Sequence, residues 1–228
     1  MVKFDPDITE IIFLDLEWYV PLDQRESKGA SMLANPNRKG QILLGGVFAK
    51  YHPLKEKIND IKYDHFWLWK VNDEEDLVGK MYKYVKNEWR NFDGTHWSQA
   101  DLIICGQGSS RFDVPILYIK SVEYEVDSED EIFYTFFKTK QVDLSNVAIP
   151  LIWADVMYPS NWNLISKRFK FKKLKESGTR VWDMYDTRQY GEIEKRTEQE
   201  ERARARSSDT SKNKDWTRMA RCQGRQRG

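Results

Sequence analysis

Apolar residues in this chain come in short, dense runs up to about residue 71 and in a spaced, helical rhythm after residue 73, and this change of rhythm predicts the order of its elements. The runs "IIFLDLE" (11–17), "QILLGGVFA" (41–49) and "HFWLWKV" (65–71) are rich in β-branched, leucine and aromatic residues, as strands are. Asp73 to Arg90 instead sets Leu77, Met81, Tyr84, Val85 and Trp89 on one helical face. Asn72 followed by Glu75 has the spacing of a capping box at its start. "DLIICG" (101–106) predicts a fourth strand, and "FDVPILYIK" (112–120) a short helix with Pro115 in its first turn. The Pro, Asn and Gly of "KGASMLANPNRKG" (28–40) suit a loop between the first two strands.

After residue 120 the pattern loosens. An acidic stretch "EYEVDSEDE" precedes the aromatic run "IFYTFF" and a short strand expected in "QVDLSNV" (141–147), with helices expected from about Leu151, from Leu164 and over residues 189–206. One α/β domain, a mixed sheet flanked by helices, accounts for this order with the fewest assumptions. It is expected to span 1–206, with a basic tail at 207–228.

Charge changes this picture only at the C-terminus. The formal net charge is +1, yet residues 202–228 hold nine Arg or Lys against Asp209 and Asp215, a local +7 that leaves −6 for the rest. Such a tail either follows a phosphate backbone or serves as a solubilising end. With two cysteines, Cys105 and Cys222, no disulfide framework is expected. The acidic N-terminus reads as no signal peptide, and no apolar run nears the roughly 18 residues of a membrane span, so a reduced, cytoplasmic setting is expected. Nothing in the sequence sets an oligomeric state.

The chemistry lies in the acids. In a strand, residues i and i+2 share a side, so Asp15 and Glu17 project together while Leu14 and Leu16 face the opposite layer. Two carboxylates so close repel unless a cation lies between them, and hard oxygen donors suit Mg²⁺ or Mn²⁺. The same pair is also the ordinary solvent end of a strand. Asp113, at a helix start among Phe112, Val114, Ile116 and Leu117, reads equally as an acid near core residues or as a helix-terminal acid favoured by the dipole.

Taken together, "FLDLEW" (13–18) and "LIICGQGSSRFDVPIL" (102–117) resemble the first two motifs of the DEDD, or DnaQ-like, 3′-to-5′ exonucleases of the ribonuclease H-like fold. The likeness covers roughly residues 8–120, and the segment from Asn163 to Glu200 is similar to the closing part of that family. It implies a mixed ribonuclease H-like sheet and two metal ions, Mg²⁺ or Mn²⁺, held about 3.5–4 Å apart. Asp15 would bridge the two ions, Glu17 and a last acid would serve the water-activating ion, and Asp113 the other. For the last acid the resemblance points to Glu200, seven residues after Ile193, with Asp215 as the competing placement. The family's usual Tyr or His base is absent from the aligned positions, where Lys195 and Arg196 stand; Tyr185 and Tyr190 are substitutes. The implied substrate is the 3′ end of single-stranded nucleic acid, DNA before RNA, with Leu16, Trp18 and Gln107 lining the terminal nucleotide. Aromatics are 14% of the chain, so most of them must pack rather than bind.

The remaining candidates read as structural. His52, His65 and His96 lack metal-site spacing, "CGQGSS" lacks the lysine of a phosphate loop, and Cys105 reads as a small buried hydrophobe. "KFKKLK" (170–175) is either a phosphate contact or a solvated face. Two rivals stand beside the exonuclease: a catalytically silent relative that binds nucleic acid through the same groove, and an unrelated α/β interaction protein whose acids are coincidental.

Overall fold

The first strand, β1 (Glu10–Tyr19), is apolar on both sides because it lies in the middle of the sheet, where helices cover both faces. In the computed structural model, residues 9–25, 33–52, 54–57, 60–91, 102–149, 162–169 and 177–208 are described. The other strands are β2 (Ile42–Tyr51), β3 (Tyr63–Trp67), β4 (Leu102–Gly106) and β5 (Lys140–Asp143), in the spatial order β3-β2-β1-β4-β5. β1 pairs antiparallel with β2 and parallel with β4; β2 and β3 are antiparallel, β4 and β5 parallel. This is the expected mixed sheet flanked by helices in one α/β domain.

One face is closed by α1 (Glu74–Asn91) and α2 (Asp113–Glu123). Ile12, Leu14, Leu16 and Trp18 of β1 pack there with Leu77, Val78, Met81 and Val85 of α1 and with Val114, Ile116 and Leu117 of α2. Each such side chain, fully buried, contributes about 1.5–3 kcal/mol. The opposite face is closed by α6 (Arg180–Asp186) and α7 (Tyr190–Ser208), through Val181, Met184 and Ile193 against Leu44, Val47 and Trp67, and through Ala205 in the cluster with Phe13, Ala49 and Cys105. Between these pairs come α3 (Glu129–Phe133), continued by a π-helical turn Tyr134–Lys138, then α4 (Leu144–Val147) and α5 (Trp162–Phe169).

Several expectations shift by a few residues for local reasons. The box that opens α1 uses Asp73 and Asp76 rather than Asn72 and Glu75: Asp73 Oδ1 accepts from the Asp76 N–H (2.8 Å), and Asp76 Oδ2 from the Asn72 N–H (3.3 Å). Glu74 is thereby turned inward, its Oε1 accepting from the Leu43 N–H at 2.6 Å and its Oε2 from the Tyr124 hydroxyl at 2.7 Å. "HFWLWKV" leaves the sheet at Trp67 and closes in a 3₁₀ turn, Leu68–Lys70. Only the first part of "QVDLSNV" is strand, because Asp143 caps α4 by accepting from the Ser145 N–H and so ends the ladder. The helix expected from Leu164 starts at Trp162, while the one expected from Leu151 falls outside the described residues.

Candidate functional site

Two glycines fit the backbone around the acids of β1. A Cβ on Gly46 would stand 2.4 Å from the Asp15 carbonyl oxygen, and one on Gly106 would stand 2.9 Å from that of Leu14. Only glycine lets β2 and the exit of β4 come so close to β1 at this point. Just beyond, the β1–β2 ladder slips: Glu17 faces Gly45 but Trp18 faces Leu43, so Leu44 is an extra residue on β2. A bulge of this kind re-aims side chains, and here it falls beside the Asp-x-Glu pair.

Asp15, Glu17 and Asp113 are 4%, 6% and 3% exposed. Asp113 is the first residue of α2, which leaves the sheet after β4, and β4 runs parallel to β1 with Phe13 abreast of Cys105. All three acids therefore lie toward the carboxyl ends of adjacent parallel strands, the edge where open α/β sheets take ligands. Alternation turns Asp15 and Glu17 toward α7, on the side of Phe13, while Leu14 and Leu16 pack under α1 and α2.

On α7 the buried positions are Ile193, Thr197, Glu201 and Ala205, one every four residues, each 0% exposed. The Thr197 hydroxyl lies 2.8 Å from Glu17 Oε1 and 2.9 Å from the Ile193 carbonyl oxygen, so its single proton is shared between the two acceptors. Phe13 to Glu17 spans roughly 13 Å of strand. Thr197 to Ala205 spans roughly 12 Å of helix, and with its ends at Glu17 and in the Phe13 cluster, Glu201 lies between them along the buried stripe. Glu200 lies one position off the stripe, where its Oε1 pairs with Arg196 Nε at 3.0 Å.

Carboxylate oxygens are the hard donors that Mg²⁺ and Mn²⁺ take, so this donor set fits such ions in kind. Among the described residues no three His, Cys, Asp or Glu side chains stand together closely enough to hold a metal ion. Thr197 meanwhile holds one oxygen of Glu17.

The other candidates are placed as follows. Leu16 and Trp18 are buried in the core; the Trp18 indole N–H donates to Gln41 Oε1 at 2.8 Å and its carbonyl accepts from Trp182 Nε1 at 2.8 Å. Neither offers a face to a nucleotide here. Gln107 directly follows β4 in the loop that leads to Asp113 and is partly buried. Burial, with Tyr190 and Asp186 close by, pushes the Tyr185 phenol up, away from the range a base at neutral pH needs. The Tyr190 ring stacks on Trp69 at 4.6 Å. His65 Nε2 lies 3.3 Å from Glu198 Oε2, the His52 ring accepts from the Lys55 N–H, and Cys105 is buried. Asp215, His96, Cys222 and "KFKKLK" lie outside the described residues.

Sequence reasoning missed Thr197, Glu201 and Asp143. The four-residue stripe of Ile193, Thr197, Glu201 and Ala205, two small or β-branched residues around one acid, was the signal for the first two. Asp143, at the end of β5, accepts from Gly108, Ser110 and Ser145; the cap to Ser145 is local, whereas the loop partners lie more than 30 residues away with no pattern to betray them.

Fold and edge together define an α/β protein of the ribonuclease H-like class, with acids at the carboxyl ends of its central strands. Among solved structures it is similar to the family B DNA polymerase from the hyperthermophilic archaeon Pyrobaculum calidifontis, with a TM-score of 0.52 and 16% identity over 86% of this chain. That likeness is one of fold, and the chain spans about a quarter of the polymerase, 23% of its length. No protein-family model and no curated protein matches the chain. Among the described residues no helix is long and apolar enough to cross a membrane.

Proposed function

We propose that the chain is a metal-dependent 3′-to-5′ exonuclease that releases nucleotides from the 3′ end of single-stranded nucleic acid, DNA in preference to RNA. The observation that carries this reading is the burial of Asp15, Glu17 and Asp113 at one edge of the sheet, in the two motifs that resemble the DEDD exonucleases. Taking negative charge out of water is costly, so three buried carboxylates at the edge where open α/β sheets take ligands favour a cationic ligand. The fold similarity to part of a DNA polymerase agrees with a polynucleotide substrate.

In this reading Asp15, Glu17 and Asp113 would hold Mg²⁺ or Mn²⁺, and Glu201, on the buried stripe of α7, would take the place of Glu200 as the last acid. The chemistry such ions would supply when bound is activation of water and stabilisation of the leaving 3′ oxygen. The chain itself orients: Thr197 fixes the Glu17 carboxylate, and the Gln107 loop borders the terminal nucleotide. Leu16 and Trp18 support the site from beneath as core.

A catalytically silent relative that binds single strands is the second reading. It is favoured by the lack of any three-acid group close enough for a metal among the described residues and by the Arg196 that pairs with Glu200. Pure protein incubated with labelled DNA and RNA strands side by side, with Mg²⁺, with Mn²⁺ or with chelator, separates the two. Stepwise 3′ loss that Asp15→Ala abolishes supports the enzyme. Binding without degradation in either metal selects the silent relative. Neither binding nor cleavage defeats both.

A further inference from the structure

Asp143 ends β5 beside the loop that joins β4 to α2, with Gly106 directly abreast of it in the parallel ladder. Its two oxygens have different tasks. Oδ1 accepts from the Ser145 N–H (2.9 Å), the Ser145 hydroxyl (2.6 Å) and the Gly108 N–H (2.9 Å). Oδ2 accepts from the Ser110 N–H (3.2 Å) and the Ser110 hydroxyl (2.7 Å). Capping α4 needs only the Ser145 N–H; Oδ2 serves the loop alone. Gly108 adopts φ +77°, a left-handed conformation that glycine tolerates, and this turns its N–H to the carboxylate. The loop is also pressed on β1 through Gly106, next to Asp15, and it ends at Phe112, immediately before Asp113.

We propose that Asp143 is a positioning residue: by clamping Gly108 and Ser110 it holds the loop in the shape that presents Gln107 and Asp113 to the 3′-terminal nucleotide. This rests on the exonuclease reading. A carboxylate suits the task because it accepts on every side, whereas a carboxamide would turn an NH₂ toward donors on one of them.

Ser110→Ala and Ser145→Ala each delete one short hydroxyl bond to the same carboxylate, the first from Ser110 inside the loop and the second from Ser145 on α4, whose hydroxyl also accepts a longer bond from Arg111 at 3.2 Å but holds neither Gly108 nor Ser110. They should lower the unfolding temperature to a similar extent but differ in catalysis. Expected is a fall in kcat of about tenfold for Ser110→Ala and up to about a hundredfold for Asp143→Asn, with Ser145→Ala within about twofold of the parent. Faster amide exchange at Gly108 and Ser110 should accompany the first two. Equal kcat losses in the two serine variants, or unchanged exchange at Gly108 in Asp143→Asn, overturn the proposal. Wild-type protein that is inert while Asp143→Asn still speeds exchange at Gly108 defeats the exonuclease reading and the catalytic role together, leaving a clamp that is structural only.

Discussion

The Thr197 hydroxyl of α7 donates to the Glu17 carboxylate of β1 at 2.8 Å, across 180 residues of sequence. Both groups are buried, so the bond is shielded from water. Hydrogen bonds to charged groups contribute about 1.5–3 kcal/mol, and Thr197→Val should destabilise by that amount, which urea unfolding will read. Thr197→Ser, which keeps the hydroxyl, should recover most of the loss. Equal losses in both variants would assign the effect to packing of the methyl group.

Glu201 and Glu200 make opposite predictions. If the last acid is the one α7 turns to the sheet, Glu201→Gln lowers the nuclease rate by about 10–100-fold and weakens the response to Mn²⁺. Glu200→Gln loses an ion pair with Arg196 and should cost about 1 kcal/mol with little change in rate. The reverse ranking would restore Glu200 as the functional acid.

Gly46 and Gly79 form a second contrasting pair. Alanine at Gly46 meets the Asp15 carbonyl oxygen at 2.4 Å and Leu16 Cδ2 at 2.8 Å, so backbone must shift, at about 1–3 kcal/mol. Gly79 lies inside α1 with nothing within 4 Å of an added Cβ, and alanine there should stabilise by about 0.5–1 kcal/mol. Thermal midpoints of the two variants should therefore move in opposite directions.

Acid sensitivity should trace to Asp143 and Asp186. Burial pushes the Asp143 carboxyl up, but the bonds from Ser145, Ser110 and Gly108 outweigh it and hold its pKa below the ordinary 3.8. At Asp186 burial is likewise outweighed, by the Tyr19 hydroxyl at 2.6 Å and the Arg25 guanidinium at 2.7 Å. A carboxyl with a depressed folded pKa contributes stability that is present in full above its unfolded value and is lost as pH falls through the folded one. Unfolding free energy should thus fall as pH drops below 3.8, and Asp143→Asn should show a shallower acid limb.

The strands β1, β2 and β4 and the helices α1, α2 and α7 were legible because dense apolar runs and helical spacing are local properties of the chain. Cap positions were less so: Asp73 and Asp76, not Asn72 and Glu75, close the start of α1, a choice made once Glu74 is needed by Leu43 and Tyr124. Trp18 illustrates a different limit. An aromatic beside two acids suggested a stacking platform, yet alternation along β1 sends it to the side of Leu14 and Leu16, under α2.

By itself the sequence determined the order and type of the main elements, the pairing of Asp15 with Glu17 on one side of a strand, and the place of Asp113 at a helix start, since each depends only on backbone periodicity and on neighbours a few residues away. The tertiary structure alone decided that α7 meets β1 through Thr197, with Glu201 rather than Glu200 on the fully buried stripe, and that Asp143 holds the loop before Asp113. Those choices follow from which helix face the twisted sheet can bury and from partners brought together across long stretches of chain: the four-residue stripe on α7 marks a buried face but not the strand it meets, and the loop partners of Asp143 lie more than 30 residues away.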